Sequence, residues 1–228
     1  MAIIKPLRLQ IYFSNMGINI KLTMVVTTLF VTTINSTCKK GQVCADNNTY
    51  TFINNYAKAY PDSDSIRVGD TLWIEISMPT TLKDELTNTM IDFSDAVSVG
   101  NTFSIDVFVG GNVNNPGTAY AANNFNYYVI NGQSLNSPNP DRTRQYTFAK
   151  MGGLFVLKVG VIAKSIGIYS LAISDDAGVH EKGDNCTKAS FAFKYANTNQ
   201  HLYYYQNNRP GYVISDYERQ HMYCFKVY

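Results

Sequence analysis

Acidic residues are missing from the first 37 positions of this 228-residue chain, and so is any apolar run long enough to cross a bilayer. A spanning helix needs about 20 apolar residues. The stretch Leu22–Ile34 has 13, so a multipass helical membrane protein is excluded. Charge is sparse, with Asp, Glu, Lys and Arg at 16% and aromatics at 13%, the reverse of the balance in a disordered polymer. Glycine (15) and proline (7) are too few for a collagen-like or proline-rich chain. What remains is one globular domain with terminal extras, large enough to bury a core. No motif in it names a biochemical activity.

The charges before Cys38 are Lys5, Arg8 and Lys21. Lys21 stands directly before the uncharged stretch Leu22–Ile34, as an n-region precedes the h-region of an export signal. Residues 1–37 are therefore expected to be a signal peptide. Within them, 1–15 form an upstream extension, because Met16 gives a more ordinary signal length than Met1. The competing expectation is a buried N-terminal strand rich in Val and Thr. Asn35-Ser36-Thr37-Cys38 then resembles a lipoprotein acylation site, although Asn35 and Thr37 depart from the Leu-like and small residues preferred there. Acyl chains on Cys38 would anchor the protein, each buried methylene contributing about 0.8 kcal/mol. Ordinary signal cleavage, leaving Cys38 free to pair, is the alternative. Residues 38–48 follow as anchor and linker, and 49–228 as a single domain.

Removing residues 1–37 takes away three basic side chains and no acidic one. That leaves 16 Lys and Arg against 17 Asp and Glu, a formal charge of −1 in place of +2. No basic field remains to attract nucleic acid. The four cysteines are Cys38, Cys44, Cys186 and Cys224. In an exported protein disulfides persist, and Cys186–Cys224 is the expected pair, contributing about 3–4 kcal/mol. Cys44 with either of them stays open, as do free buried thiols. Zinc is not expected, since no C-x-x-C or paired Cys/His spacing occurs.

Apolar residues alternate with period two at Leu72, Ile74 and Ile76, and again at Phe103, Ile105, Val107 and Val109. The same pattern returns at Tyr169, Leu171 and Ile173, at Phe191, Phe193 and Tyr195, and at Tyr223, Phe225 and Val227. Leu154–Ile162 is more continuously apolar and suits a central strand. Such repeats, with turn signals at Arg67–Asp70, Asn131-Gly132 and Ser137–Asp141, predict an all-β fold. It is expected to be a β-sandwich of antiparallel strands with one or two short helices. Ser215-Asp216-Tyr217-Glu218 fits a capping box, and Thr81–Leu86 fits a single helical turn.

Asp64–Ile74 is similar to the entry of an early strand in Ig-like bacterial surface domains. Ser165–Ile173 is similar to their Gly-x-Tyr strand, here Gly167-Ile168-Tyr169. With Cys38-Lys39-Lys40 and the Asn- and Tyr-rich composition, the chain resembles envelope lipoproteins of the Bacteroidota type that carry an Ig-like β-sandwich domain. That resemblance implies a Tyr169 hydroxyl bonded to nearby backbone and a place in the cell envelope, at the outer membrane or in the periplasm. Lys39 and Lys40 stand where surface-exposed members carry acidic residues, so the orientation stays open. The resemblance implies no enzymatic activity.

Candidate chemistry is thin. His180, His201 and His221 lie in no ligand or catalytic spacing, and G-x-S-x-G and phosphate-loop motifs are missing. Asp62-Ser63-Asp64-Ser65, near Asp70, offers oxygens of the kind calcium takes, but breaks the EF-hand pattern at Ile66 and Arg67. A solvated turn holding its own backbone is the favoured alternative. Trp73, the single Trp, alternates with Thr71, Glu75 and Ser77, which places it on the more polar face. It and Tyr203, Tyr204 and Tyr205 are the candidate stacking residues, with Tyr127, Tyr128 and Tyr212 as further platforms, unless another segment covers Trp73. The expected function is a non-enzymatic binding or structural module, exported and lipid-anchored, with no cofactor or metal. Its expected partners are the membrane and a glycan or another envelope protein. A carbohydrate-binding accessory domain is the alternative, and a hydrolase ranks last.

Overall fold

Side chains two apart on a strand share a face, and burial follows the predicted alternation over most strands, except that Val109, expected in phase with Phe103 and Ile105, lies past the end of its strand and is exposed. The structure, a computed structural model, describes residues 48–110 and 117–228. The expected signal segment, Cys38 and Cys44 lie outside the described residues. In chain order the strands are β1 (Asn48–Tyr60), β2 (Ser65–Ile66), β3 (Thr71–Pro79), β4 (Thr81–Lys83), β5 (Met90–Asp92), β6 (Ala96–Val97) and β7 (Gly100–Phe108). Then come β8 (Thr118–Tyr120), β9 (Phe125–Asn131), β10 (Gln133–Leu135), β11 (Thr143–Thr147), β12 (Ala149–Met151) and β13 (Leu154–Ala163). The last are β14 (Gly167–Ile173), β15 (Asp176–Glu181), β16 (Asp184–Tyr195) and β17 (Met222–Val227), with helices α1 (Tyr203–Asn208) and α2 (Asp216–His221) between β16 and β17.

The first sheet has the order β12-β13-β3-β1-β16-β15-β6, and β9 also pairs with β13. The second has the order β10-β11-β7-β14-β17-β2, and β8 also pairs with β7. Strands β4 and β5 pair separately. One apolar cluster joins the two large sheets, with Leu72, Ile74, Ile76, Val159 and Phe191 from the first and Phe103, Leu171 and Phe225 from the second. The fold is therefore an all-β sandwich with two short helices. Two pairings depart from the antiparallel expectation, since β1 runs parallel to β16 and β17 parallel to β2.

The expected bond from the Tyr169 hydroxyl to nearby backbone is present. Tyr169 is fully buried and donates its hydroxyl to the Ser165 carbonyl at 3.0 Å, with the Ile166 carbonyl at 3.3 Å. Gly167 makes room for it, because a Cβ there would stand 3.0 Å from the ring. Ser215 caps α2 in a full capping box with Glu218, as its sequence predicts. Thr81–Leu86 is not helical. Thr81–Lys83 forms β4, and the Asp84 carboxylate then accepts from the Thr51 and Thr87 backbone N–H groups at 2.7 and 2.8 Å, which holds a turn instead. The expected Cys186–Cys224 bridge is not formed. Cys224 is a free buried thiol on the outer side of the second sheet, while Cys186 lies on β16 in the first sheet beside Thr187, which pairs with Asn48. The two layers of the sandwich separate them.

Candidate aromatic face on the first sheet

The outer faces of the two sheets differ. On the second sheet, Met222 and Cys224 point away from the main core and are covered by the helical segment. They form a second cluster with Phe108, Tyr205 and Ile214. On the first sheet the outward residues of β1, β3, β13 and β9 form ordered rows. Tyr60 pairs with Trp73, Trp73 with Gly160, and Gly160 with Tyr128, so one row crosses four strands. The next row is Lys58, Glu75, Lys158 and Asn131. Beyond it, Tyr56 pairs with Lys194.

Each member has a physical reason for its place. A register shift in β1 between Phe52 and Asn55 flips the strand's parity. Phe52 faces the core before it, and Asn55, Ala57 and Ala59 face inward after it, which turns Tyr56, Lys58 and Tyr60 outward. Buried Asn55 holds the bulge by donating from Nδ2 to the Phe52 and Ala192 carbonyls at 2.8 and 3.0 Å. Gly160 leaves space for the indole, because a Cβ there would lie 3.0 Å from the Trp73 ring and 2.9 Å from Thr71 Cγ2. Tyr128 is 60% and Tyr56 46% exposed, while Trp73 and Tyr60 are half-buried.

The charges interleave with the rings. The Tyr60 hydroxyl donates to Glu75 Oε2 at 2.9 Å, and Lys158 Nζ stands 3.5 Å from the same oxygen. Lys158 Nζ also lies 5.3 and 5.5 Å from the centroids of Tyr60 and Trp73, within cation–π reach, and Lys194 lies 5.0 Å from that of Tyr56. The Tyr60 hydroxyl, with Glu75 behind it, holds the Lys158 pKa above the ordinary lysine value, so this ammonium is charged at neutral pH. A hollow of about 610 Å³ opens at the β1–β3 end of this face, lined by Tyr56, Lys58, Tyr60, Glu75, Ser77 and Ala196. Rings for stacking and ammonium groups for anions thus share one open surface.

The other predicted residues lie elsewhere. Tyr203, Tyr204 and Tyr205 sit on α1, over the second sheet, and do not join Trp73. Tyr205 is only 4% exposed, with its ring edge-on to Phe108 and its hydroxyl on Glu218 Oε1 at 2.9 Å, so it is a packing residue and not a platform. Tyr203 is exposed but donates to Asp64 Oδ2 at 2.8 Å and packs on Tyr204 with centroids 4.4 Å apart. Tyr127 is likewise occupied, bonding the Ala122 carbonyl under the Arg144 guanidinium. Asp64 also accepts from Ser65, and Asp70 accepts from the Arg67 N–H, so these carboxylates bind their own turns.

A second hollow of about 530 Å³ lies beside α2 and includes Arg142, Tyr217, Glu218 and His221 in its lining. Its polar groups are engaged in holding the fold. Arg142 pairs with Asp106 at 3.3 Å, Glu218 accepts from Tyr205, Tyr212 and Ser215, and His221 sits between the Tyr217 carbonyl at 2.7 Å and Asp175 Oδ1 at 3.1 Å. No hydroxyl or thiol bonds the His221 ring among the described residues. The open face of the first sheet is therefore the stronger candidate site.

No protein-family model and no curated protein matches the chain. Among solved structures it is similar to the CupB6 tip adhesin of Pseudomonas aeruginosa, at 12% identity and a TM-score of 0.20. The match covers 68% of this chain and 42% of the adhesin, so the chain spans less than half of that protein. A likeness so loose places no residue of the aromatic face.

Proposed function

We propose that this chain is a non-enzymatic binding module of the cell envelope, exported by residues 1–37 and held to a membrane by acyl chains on Cys38. Its ligand docks on the outer face of the first sheet. The observation that carries this is the row Tyr60–Trp73–Gly160–Tyr128, left open while the helices cover the other sheet's outer face. An aromatic row that reaches the surface and is rimmed by charge marks an interaction site. The same row favours a saccharide as the ligand, because the apolar faces of sugar rings stack on aromatic side chains.

The test is a glycan array probed with the full chain in detergent, as wild type and as Trp73→Ala. The wild type is expected to bind at least one saccharide class and the variant to lose about tenfold or more, a loss of about 1.4 kcal/mol. No binding by the wild type, or equal binding by both, defeats the assignment of this face. Intact-mass analysis of the membrane fraction checks the anchor separately, since an unmodified Cys38 defeats it.

A further inference from the structure

We propose that the ligand is an extended acidic polysaccharide that crosses the strands, its rings over Tyr60, Trp73 and Tyr128 and its carboxylates on Lys58 and Lys158. This rests on the saccharide-binding face above and narrows it in two respects, direction and charge.

Direction follows from register. The three rings share one row across β1, β3, β13 and β9, whereas along any one of these strands the outward aromatics are fewer. On β3, for example, Trp73 is followed outward by Glu75 and Ser77. Neighbouring strands are about 4.8 Å apart, close to the length of one pyranose unit in an extended chain. Tyr60 and Tyr128 are three strand steps apart, roughly 14 Å, which spans about three sugar units. The middle step is Gly160, and the Trp73 ring lies against its Cα, so the row is continuous despite the missing side chain.

Charge follows from the adjacent row. Lys58 and Lys158 lie two residues along their strands from the aromatic row, roughly 7 Å away, and flank Glu75. Lys194 adds a third ammonium beside Tyr56. Glu75 is the one carboxylate among these residues, already bonded to Tyr60 and paired with Lys158. The face is thus cationic on a chain whose expected mature charge is −1. A uronate ring stacked on the aromatic row carries its C5 carboxylate at its side, over the lysine row. Lys158, which rests over Tyr60 and Trp73, then swings onto that carboxylate and uncovers the ring faces. Single-stranded nucleic acid also combines stacking with phosphate charge, but it would call for a basic field extending beyond this one row.

Trp73 is the only tryptophan, so its fluorescence reports on this face directly. The full chain is titrated with polygalacturonate, with the same polymer fully methyl-esterified, and with oligo-dT. The expected result is a saturable change with polygalacturonate and at least tenfold weaker binding of the ester. The double variant Lys58→Gln/Lys158→Gln is expected to lose that preference at wild-type melting temperature. Equal affinity for acid and ester overturns the acidic ligand and leaves the saccharide face standing. Tighter binding of oligo-dT overturns the saccharide, and no binding of any of the three overturns both. Tyr128→Ala tests direction. It should cost at least fivefold on long polymers and nothing on a single galacturonate, and an equal loss on both overturns the crossing.

Discussion

Replacing Tyr169 with Phe removes one oxygen from the interior and little else. The ring is fully buried, edge-on to Phe125 at 4.8 Å and stacked on Phe225 at 5.8 Å, contacts that a phenylalanine keeps. What disappears is the donation to the Ser165 carbonyl at 3.0 Å, shared with Ile166, and the bond accepted from Asn124 Nδ2 at 3.3 Å. An intramolecular hydrogen bond contributes about 1 kcal/mol net. Ser165 is half-buried and Ile166 exposed, so water can take over these carbonyls. The loss is then about 1–2 kcal/mol, the second bond being long and weak. For a domain of this size that lowers the melting temperature by roughly 3–6 °C. The urea midpoint should fall with an unchanged slope. Tyr169→Ala, which opens a cavity among Phe125 and Phe225, costs about 3–5 kcal/mol. Thermal and urea melts of the three proteins decide the matter. A Phe variant as stable as the wild type refutes the hydroxyl as a tie. A Phe variant as unstable as the Ala variant refutes the division between ring and hydroxyl.

Cys224 should resist thiol reagents in the native protein and react on unfolding, because it is buried and burial pushes its pKa well up; rapid native labelling would contradict the covered second sheet. Glu218→Ala removes the acceptor of Tyr205, Tyr212 and the Ser215 cap, so it should loosen the helical cover and speed Cys224 labelling, with a stability loss of about 1–3 kcal/mol by chemical denaturation. Burial raises the Tyr127, Tyr146, Tyr195 and Tyr223 phenols in the folded state, so their stabilisation is complete below the unfolded value of about 10 and is lost above it, where the unfolded chain ionises first; urea midpoints flat from pH 9 to 12 would contradict this. Gly160→Leu should displace the indole, shift Trp73 emission and reduce saccharide binding at least tenfold, and unchanged emission would show that the ring does not rest there.

Strands were legible where burial on one face kept a single phase, as at Leu72–Ile76, Phe191–Tyr195 and Tyr223–Val227, because alternation is a local property. Phe103 and Ile105 keep that phase and Val107 packs partly against the same core, whereas Phe108 points to the opposite, helix-covered side and Val109 is exposed beyond the end of β7. Strand β1 carries no such local signal, although it is central to the first sheet. Its bulge reverses the parity halfway, and its inward residues after the bulge are Asn55, Ala57 and Ala59, which carry little apolar signal. Asn131-Gly132 does mark a turn, but not a hairpin. It carries the chain from β9 in the first sheet to β10 in the second, and Gly132 is required because a Cβ there would stand 2.5 Å from the Thr147 carbonyl oxygen. The site divides in the same way. The parity of Trp73 could be read from its own strand, whereas Tyr127 and Tyr128 stood together as platforms and only Tyr128 is open. The meeting of Trp73 and Tyr128 with Tyr60 and Lys158 could not be read, because cross-strand register is set by long-range pairing that no local pattern encodes. The Tyr203–Tyr205 run misleads for the opposite reason, since three adjacent tyrosines suggest one surface, whereas on a helix they point in different directions and Tyr205 turns into the core. The proposed site is therefore a property of sheet assembly, and a change at the β1 bulge, such as Asn55→Leu, should disturb the face through the parity of Tyr56, Lys58 and Tyr60 without touching any residue on it.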